Sequence, residues 1–310
     1  MQSQLFHLHT LSALHCGTGQ SVGVVDLPIA RARATQLPIV PGSSLRGVLR
    51  QELEGMNRDL AHALFGPRKV SDSADSFAGA LAIGDANLLA LPVRSLAGII
   101  CYATSPFILS RYARDLNAAG IEPLQIPQPG ATQGIRQNES QHALVTSSSV
   151  NLMEGNQDSA TMVLEELDLQ GQSNSLTDQW ARQIAALIHP HDESAREDFC
   201  CRFAILPDNI LGFLAETATE LRTRISIDEN TGTVKKGALW FEEHLPAESL
   251  LWGIYALTES LVPGKPKSSE ELTESLLEQF KNGEQLLQVG GQAGVGRGLV
   301  RLLLKAEVSA

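Results

Sequence analysis

The order of periodic segments at the start of the chain constrains the fold more than any other feature of this sequence. The opening "QLFHLHTLSALH" alternates from Leu5 to Thr10 in the manner of a strand with at least one buried face. A long glycine-containing loop follows and ends in "VPGSSLRGVLRQEL". There the Pro41–Gly42 pair predicts a turn, Ser43 or Ser44 is the expected N-cap, and the leucines and valine that follow have helical spacing.

The next segment completes a recognisable order of elements. Residues 79–106, "GALAIGDANLLALPVRSLAGIICYATSP", are predicted to form two strands joined across the Leu91–Pro92 region. The order strand, helix, strand, strand is half of a ferredoxin-like or RNA-recognition-like βαββαβ unit. The sequence therefore predicts an α+β fold.

The second half of the chain supplies further elements of both kinds. The segments "LTDQWARQIAALIH" and "ILGFLAETATEL" have helical spacing. Residues 220–246 alternate on both sides of the turn "DENTG" and predict a hairpin. A solvated hairpin without a functional role is the alternative that stays open. In "LLQVGGQAGVGRGLVRLLLKAEV" five glycines separate two strand-like runs, and we expect the last strand to lie beside the first. Residues 120–175 are rich in Gln, Asn, Ser, Pro and Gly, which predicts an irregular insertion rather than an independent domain.

Composition limits where an anionic partner can bind. The formal net charge is −11 and aromatic residues make up 5% of the chain, so attraction of nucleic acid or acidic membrane by the summed charge is excluded, and any anion site must be local. No run of 18 apolar residues occurs and the first residues lack an export pattern, which predicts a cytoplasmic protein without a membrane partner. The four cysteines lack CxxC spacing and are expected to be reduced thiols.

The glycine-rich segment does not match the common nucleotide-binding motifs. A G-x-G-x-x-G count from Gly294 ends on Leu299, and the Gly264–Lys265 pair is followed by Pro266 rather than Ser or Thr. What remains is a loop whose backbone N–H groups can approach a phosphate closely, with Arg297 supplying charge.

The helix that follows the Pro-Gly turn is the stronger candidate for an anion site. Its unpaired N–H groups and dipole favour an anion at the N-terminus, where Ser43 and Ser44 add hydroxyl donors. Arg46 and Arg50 are four residues apart and share a flank outside the apolar stripe. The alternative is a solvated flank in which neighbouring glutamates accompany the two arginines.

A lone acid before a proline is the candidate for catalysis. Asp26 has no second carboxylate nearby in sequence, so its local setting is equally that of a turn residue. His15 lies eleven residues earlier, at the exit of the first strand, and the two side chains could meet in space. A His and an Asp beside bound RNA suffice for attack of a 2′-hydroxyl on the adjacent phosphate if a base or metal-bound hydroxide removes the proton and a cation stabilises the phosphorane.

Five segments together carry a resemblance to a known family. They are "LHTLSALHCGTG", "VDLPIARA", "LPIVPGSSLRGVLR", "RISIDENTGTVKKGALWFEEHLP" and "GGQAGVGRGLVRL". In combination they resemble the RAMP superfamily of CRISPR proteins, most closely the backbone (fourth Cmr) subunits of type III-B effector complexes. The resemblance implies a modified ferredoxin-like or RNA-recognition-like palm, built from residues 1–119 and 176–310. It also implies a β-hairpin thumb at about 220–246, a polar insertion at 120–175 and a glycine-rich loop at 290–298.

The resemblance also implies a function in antiviral defense. Copies of such a subunit stack into a filament along one guide crRNA, together with other Cmr-type subunits, and the thumbs flip a nucleotide at regular intervals. Target single-stranded RNA is cut beside each flipped base with a divalent metal, Mg²⁺ or Mn²⁺.

Particular residues of this chain stand at the matching positions. The implied catalytic residues are Asp26, which also holds the metal, His15, Glu242 and His244; the last stands where the family has a tyrosine. The implied RNA-binding residues are Ser43, Ser44, Arg46, Arg50, Gly291, Gly294, Gly296 and Arg297. Two alternatives stay open: a purely structural RNA-binding backbone subunit, and a guide-processing RNase, against which the long thumb argues.

Overall fold

A computed structural model describes residues 3–19, 25–68, 76–129, 142–153, 160–281 and 283–304. The strands are β1 (Ser3–Thr10), β2 (Ile39–Val40), β3 (Leu81–Ile83), β4 (Ala86–Ser95), β5 (Ile99–Thr104), β6 (His142–Val145), β7 (Ala160–Leu164), β8 (Leu167–Ser173), β9 (Phe203–Ile205), β10 (Glu220–Ile227), β11 (Val234–His244), β12 (Leu250–Leu257), β13 (Glu284–Gln288) and β14 (Leu299–Leu303). The helices are α1 (Gly42–Met56), α2 (Arg58–Phe65), α3 (Pro106–Ala118), α4 (Ser175–Ile188), α5 (Glu193–Arg202), α6 (Asp208–Thr217) and α7 (Ser269–Gln279).

Four antiparallel strands in the order β14-β1-β12-β4 form the centre of the main sheet. Counting only these strands along the chain, the order is 4-1-3-2, with α1 between the first and second and α7 between the third and fourth. This is the βαββαβ arrangement of a ferredoxin-like unit. The prediction of an α+β palm is therefore confirmed, as is the placement of the last strand beside the first.

Helices cover both faces of this sheet, which is why β1 is buried along most of its length. Residues paired directly across strands share a face. Trp252 is paired with His7 and packs on Tyr112 of α3 at 5.4 Å between ring centroids, whereas Tyr255 is paired with Gln4 on the opposite face, beside α1 and α7. The alternation predicted for the first strand thus separates two cores rather than a core from solvent.

The helices on the Tyr255 face follow their sequence patterns. Leu45, Leu49 and Leu53 of α1 recur every fourth residue and are buried, as the spacing predicts. The N-cap prediction, however, was wrong: Pro41 is the N-cap, and no side chain caps the helix from that position. Instead the N–H of Gly42 donates to Asp85 Oδ1 at 2.7 Å, so a carboxylate distant in sequence satisfies the first turn.

The boundary between β4 and β5 also differs from the prediction. Pro92 lies inside β4, opposite Tyr102, and the turn falls at residues 96–98, where Gly98 takes a φ of +74°. A proline within a strand is compatible with pairing when its missing N–H is not needed by the neighbouring strand. Turn chemistry at Gly98 therefore decided the boundary, not the proline.

The polar segment is not wholly irregular, so that part of the prediction was wrong. Residues 142–145, 160–164 and 167–173 form β6, β7 and β8, which extend the main sheet in the order β5-β9-β6-β8-β7. Residues 130–141 and 154–159 lie outside the described residues. The division of the chain at 120 and 175 stays a prediction.

The hairpin prediction for residues 220–246 is confirmed, because β10 and β11 form a separate two-stranded sheet. Its register places unlike residues on its two faces. Leu221, Ile225, Leu239 and Phe241 share one face and are each at least 40% exposed, whereas Arg222 and Arg224 share the other. We call this hairpin the thumb and the central sheet with its helices the palm. Within the described residues, no helix is long and apolar enough to cross a membrane.

Candidate functional site

The first loop, residues 11–17, is held between the base of the thumb and the glycine-rich loop. Leu14 forms a bridge with Leu245, just past the end of β11. On the other side the N–H of Gly291 donates to the carbonyl of His15 at 2.9 Å, and the N–H of Gly298 donates to Ala13 at 3.0 Å. The first loop, the thumb base and the glycine-rich loop therefore meet in one place.

His15 has a fixed ring orientation in this loop. Its Nδ1 lies 2.7 Å from the carbonyl oxygen of Glu243, which can only accept, so Nδ1 carries the proton and Nε2 of the neutral ring holds a lone pair. A Cβ at Gly17 would lie 2.6 Å from that Nε2 atom, so the glycine leaves space in front of it. His15 is 9% exposed, and in this tautomer its Nε2 atom is able to accept a hydrogen bond or a proton.

Asp26 is fixed to the same part of the thumb by backbone pairing. The N–H of Leu27 donates to the carbonyl of Phe241 at 3.1 Å, and the N–H of Glu243 donates to the carbonyl of Leu27 at 3.0 Å. Asp26 Oδ2 accepts from the N–H of Phe241 at 2.8 Å, and the residue is exposed. A short extra strand thus presents an oriented carboxylate to solvent.

The two glutamates at the thumb base have different environments. Glu242 is 4% exposed; its Oε1 accepts from the indole N–H of Trp240 at 2.7 Å, and Arg224 Nε lies 3.6 Å from Oε2. That Oε2 atom is buried and has no hydrogen-bond partner within the described part of the chain. Burying a polar atom without a partner is costly, so Glu242 has an incomplete environment, as does its neighbour His244, whose Nδ1 is also buried without a partner among the described residues.

Glu243, by contrast, is fully paired. Its carboxylate accepts from Arg31 at 2.5 Å, from the N–H of Ile29 at 3.1 Å and from the hydroxyl of Thr219 at 3.0 Å. It ties the segment that carries Asp26 to the thumb. The sequence analysis missed this residue and Arg31; the signal was the alternation along β11, which turns consecutive glutamates to opposite faces.

His244 lies behind His15. It is completely buried, its ring centroid is 5.4 Å from that of His15, and its Nε2 lies 3.1 Å from the amide oxygen of Gln292. Burial lowers the pKa of His244 below the ordinary histidine value, and the adjacent His15 and Arg297 act in the same direction. The imidazole is therefore held neutral at pH 7. Gln292 is a second residue that the sequence analysis missed.

The predicted RNA-binding helix uses its two arginines inside the protein. Arg46 donates to the carbonyls of Leu81 and Phe65 at 2.7 and 3.1 Å, and Arg50 donates to the carbonyl of Gly66 at 2.9 Å. These contacts satisfy carbonyls at and beyond the C-terminus of α2. Arg50 also donates to Glu54 at 2.9 Å, so one of the neighbouring glutamates accompanies it as the alternative supposed, although neither arginine is freely solvated. The assignment of Arg46 and Arg50 to RNA binding stays a prediction. Ser43 is exposed and Ser44 half-buried.

The glycine-rich loop presents its backbone to solvent. Gly291, Gly294 and Gly296 are exposed, Arg297 is half-buried, and a single turn of 3₁₀-helix spans Ala293–Val295. Gly298 takes a φ of +77° and its missing side chain leaves room for Val289, whose carbonyl a Cβ would approach at 2.0 Å. Only glycine fits there.

The donor set for a metal is small. Within the described ranges no group of three or more His, Cys, Asp or Glu side chains is arranged to hold an ion. Asp26 offers an exposed carboxylate, which suits a hard divalent cation that takes its other oxygens from water or phosphate. The site fits an ion shared with a bound polyanion rather than an ion enclosed by protein.

Three features together define a protein of the RNA-recognition class. They are a ferredoxin-like palm, a thumb whose base carries Asp26, and an exposed glycine-rich loop that contacts His15. A family model described as RAMP superfamily matches residues 7–301, and the chain belongs to that superfamily. The family resemblance seen in the sequence is thereby confirmed.

Similar proteins are found among both sequences and structures. The CRISPR system Cmr endoribonuclease Cmr4 of Pyrococcus furiosus is 34% identical over 308 residues, which are 98% of this chain and 96% of the relative. The crystal structure of oligomeric Cmr4 from Pyrococcus furiosus superposes with a TM-score of 0.71 at 28% identity, covering 100% of both chains. A chain of the type III-B Cmr-beta complex bound to cognate target RNA has a TM-score of 0.67 at 19% identity, over 97% of this chain and 96% of its own; this likeness shows the fold.

Proposed function

We propose that this chain is a backbone subunit of a type III CRISPR effector complex, which holds a guide crRNA and cuts single-stranded target RNA at regular intervals. A relative that is 34% identical over 98% of the chain is called an endoribonuclease, which supports the activity. The observation that carries the proposal is the anchoring of His15 and Asp26 on one edge of β11: Phe241 N–H donates to Asp26, and Glu243 C=O accepts from His15. These anchors are two residues apart, about 7 Å along the strand.

The chemistry that suits this pair is attack of a ribose 2′-oxygen on the adjacent phosphorus. Nε2 of His15 takes the 2′-hydroxyl proton, the bond from phosphorus to the 5′-oxygen breaks, and that oxygen takes a proton from water. The products are a 2′,3′-cyclic phosphate and a 5′-hydroxyl. Charge on the five-coordinate phosphorus must be compensated, because His15 by itself only moves the proton.

A divalent cation, Mg²⁺ or Mn²⁺, is the group we assign to that compensation. Asp26 would hold this ion, which would supply positive charge to offset the negative charge that develops on the phosphate. The part of this chain is to hold the carboxylate: the Phe241 amide fixes Oδ2, and pairing through Leu27 fixes the backbone.

Guide binding is assigned to the helix α1 and the glycine-rich loop. Exposed backbone at Gly291, Gly294 and Gly296, with Arg297 beside it, suits contact with a sugar–phosphate backbone rather than with base edges. Arg46 and Arg50 each carry five N–H donors, so their contacts with the protein leave donors for a phosphate near Ser43 and Ser44. Base pairing between guide and target then supplies the sequence recognition.

The two faces of the thumb support two kinds of neighbour. Its exposed apolar face, which includes Leu239 and Phe241, suits packing on another copy of the chain, in keeping with the oligomeric crystal structure of the relative. The face with Arg222 and Arg224 suits RNA. We assign the assembly to the cytoplasm, where transcripts of invading DNA are met.

The test is cleavage by the assembled complex. Complexes containing the wild-type chain, Asp26→Asn or the matched control Asp168→Asn, whose exposed side chain lies on β8, are incubated with end-labelled complementary RNA and Mg²⁺. We expect evenly spaced products from the wild type and the control, and none from Asp26→Asn, with guide and target binding unchanged. Equal cleavage by Asp26→Asn would favour the alternative, a structural backbone subunit whose complex carries its nuclease elsewhere.

A further inference from the structure

Gln292 has a backbone conformation that its side chain does not favour. Its φ is +65°, in the left-handed region, within a loop where Gly290, Gly296 and Gly298 take similar values at no cost. For a residue with a Cβ this conformation is unfavourable. Since glycine would fit without strain, the glutamine side chain is the feature to be explained.

That side chain makes one contact with the catalytic region. The amide oxygen of Gln292 lies 3.1 Å from Nε2 of His244 and can only accept, so Nε2 carries the proton. The second nitrogen, Nδ1, is then a lone pair that is buried and has no hydrogen-bond partner among the residues that the structure describes. Gln292 therefore fixes which nitrogen of His244 is protonated and how the ring is turned.

The oriented ring is one of the supports of His15. The ring of His15 packs against His244 at 5.4 Å and 53°, its Nδ1 donates to Glu243, and its carbonyl accepts from Gly291. At Gly290 a Cβ would lie 2.3 Å from that carbonyl oxygen, so the loop can approach His15 this closely only because residue 290 is a glycine. Two consecutive residues of the glycine-rich loop, Gly291 and Gln292, thus contact His15 and its neighbour.

The charged and titratable groups around His244 come from three elements. They are His15 of the first loop, Glu242 of β11 and Arg297 of the glycine-rich loop. Because His244 is completely buried, it does not itself meet a substrate in this conformation. A neutral ring at this place leaves His15 free to take up a proton without a second imidazolium beside it.

We propose that Gln292 is a positioning residue: it holds the buried His244 ring in one tautomer and orientation, and that ring supports the His15 ring, whose Nε2 atom faces the space left by Gly17. The inference rests on the proposed function, in which His15 accepts the 2′-hydroxyl proton.

The experiment uses variants that separate the side chain from the backbone. Gln292→Gly removes the amide and keeps the left-handed conformation, whereas Gln292→Glu keeps an acceptor at the same reach. Gln36→Gly is the matched control, because Gln36 is an exposed glutamine with a φ of +56° far from this loop in sequence. The full chain, labelled with ¹⁵N-histidine, gives one pair of ring signals for each of its 8 histidines, and His244→Gln assigns the relevant pair.

In the wild type and Gln36→Gly we expect the His244 signals of the Nε2–H tautomer. Gln292→Gly should give a mixture of tautomers, and Gln292→Glu should restore Nε2–H and move the His244 titration to higher pH. In complexes assembled with saturating guide RNA, single-turnover cleavage should fall at least tenfold with Gln292→Gly and recover with Gln292→Glu.

Three results would overturn the proposal: an Nδ1–H tautomer in the wild type, an unchanged tautomer in Gln292→Gly, or a changed tautomer with an unchanged cleavage rate. The spectroscopic result does not depend on catalysis. If the complex with Asp26→Asn cut target RNA as well as the wild type, the proposed nuclease function would be wrong. The tautomer measurement would still decide whether Gln292 orients His244.

Discussion

Replacing Glu243 tests whether the thumb base holds the segment that carries Asp26. Glu243 accepts from Arg31 at 2.5 Å, from the Ile29 N–H at 3.1 Å and from Thr219 at 3.0 Å, and its side chain is 8% exposed. Removing one partner of a buried ion pair costs about 3–5 kcal/mol, because the other charge is left uncompensated.

For Glu243→Ala, the contacts of Arg31 narrow the expected loss in the free energy of unfolding. Arg31 keeps the carbonyls of Gln36 and Ala215 as acceptors at 2.7 and 3.0 Å, so its charge is not wholly abandoned. We therefore expect a loss of about 3 kcal/mol in the free energy of unfolding, at the lower end of the range for a broken buried pair. Glu243→Gln keeps an acceptor for Ile29 and Thr219 and should lose about half as much.

Urea unfolding at pH 7 measures these differences, and hydrogen exchange of the Ile29 amide locates them. The matched control is Glu220→Ala, since Glu220 pairs with Arg222 at the same distance of 2.5 Å but with side chains 32% and 43% exposed. An exposed pair contributes about 0–1 kcal/mol. Equal losses in Glu243→Ala and Glu220→Ala, or unchanged exchange at Ile29, would refute the reasoning.

Three further predictions concern the palm and the first loop. Burial lowers the pKa of His7 to about 4, so the unfolded chain binds more protons between pH 6.5 and 4, and stability, measured by urea unfolding, should fall as the pH is lowered through that window. His7→Gln should make this dependence shallower without abolishing it, because the pKa values of His189 and His244 are also lowered on folding. Leu53→Ala, at a fully buried position of α1, should cost about 2–5 kcal/mol in the same assay, and a loss under 1 would contradict the packing described. Gly17→Ala places a methyl group 2.6 Å from Nε2 of His15 and should reduce cleavage by the assembled complex; unaltered cleavage would argue against Nε2 as the proton acceptor.

Much of the palm was predictable because its signals are local. The leucine spacing of α1, the turn chemistry of the thumb and the apolar runs around the glycine-rich loop each act within a few residues. The predictions were wrong where a residue distant in sequence caps a helix or pairs with a strand. Asp85 caps α1 in place of a serine, and β6, β7 and β8 take strand form because the main sheet offers them partners, although their composition is polar.

The candidate site shows the same division. Asp26 and His15 were singled out from their residue types and their positions after the first strand, but nothing in the sequence states that both would be anchored on one edge of β11. Gln292 and Glu243 carried no recognisable motif, because their partners are 48 and 212 residues away in the chain.

By itself the sequence determined the first strand, the helix α1, the thumb hairpin and the local character of any anion site, since periodicity, turn residues and charge pattern are set by residues close together in the chain. Only the tertiary structure decided which groups are buried together, and therefore which are ionised, which tautomer each histidine holds and which arginines are already occupied. Those properties depend on desolvation and on hydrogen bonds between distant segments, and they exist only once the thumb base has closed on the first loop.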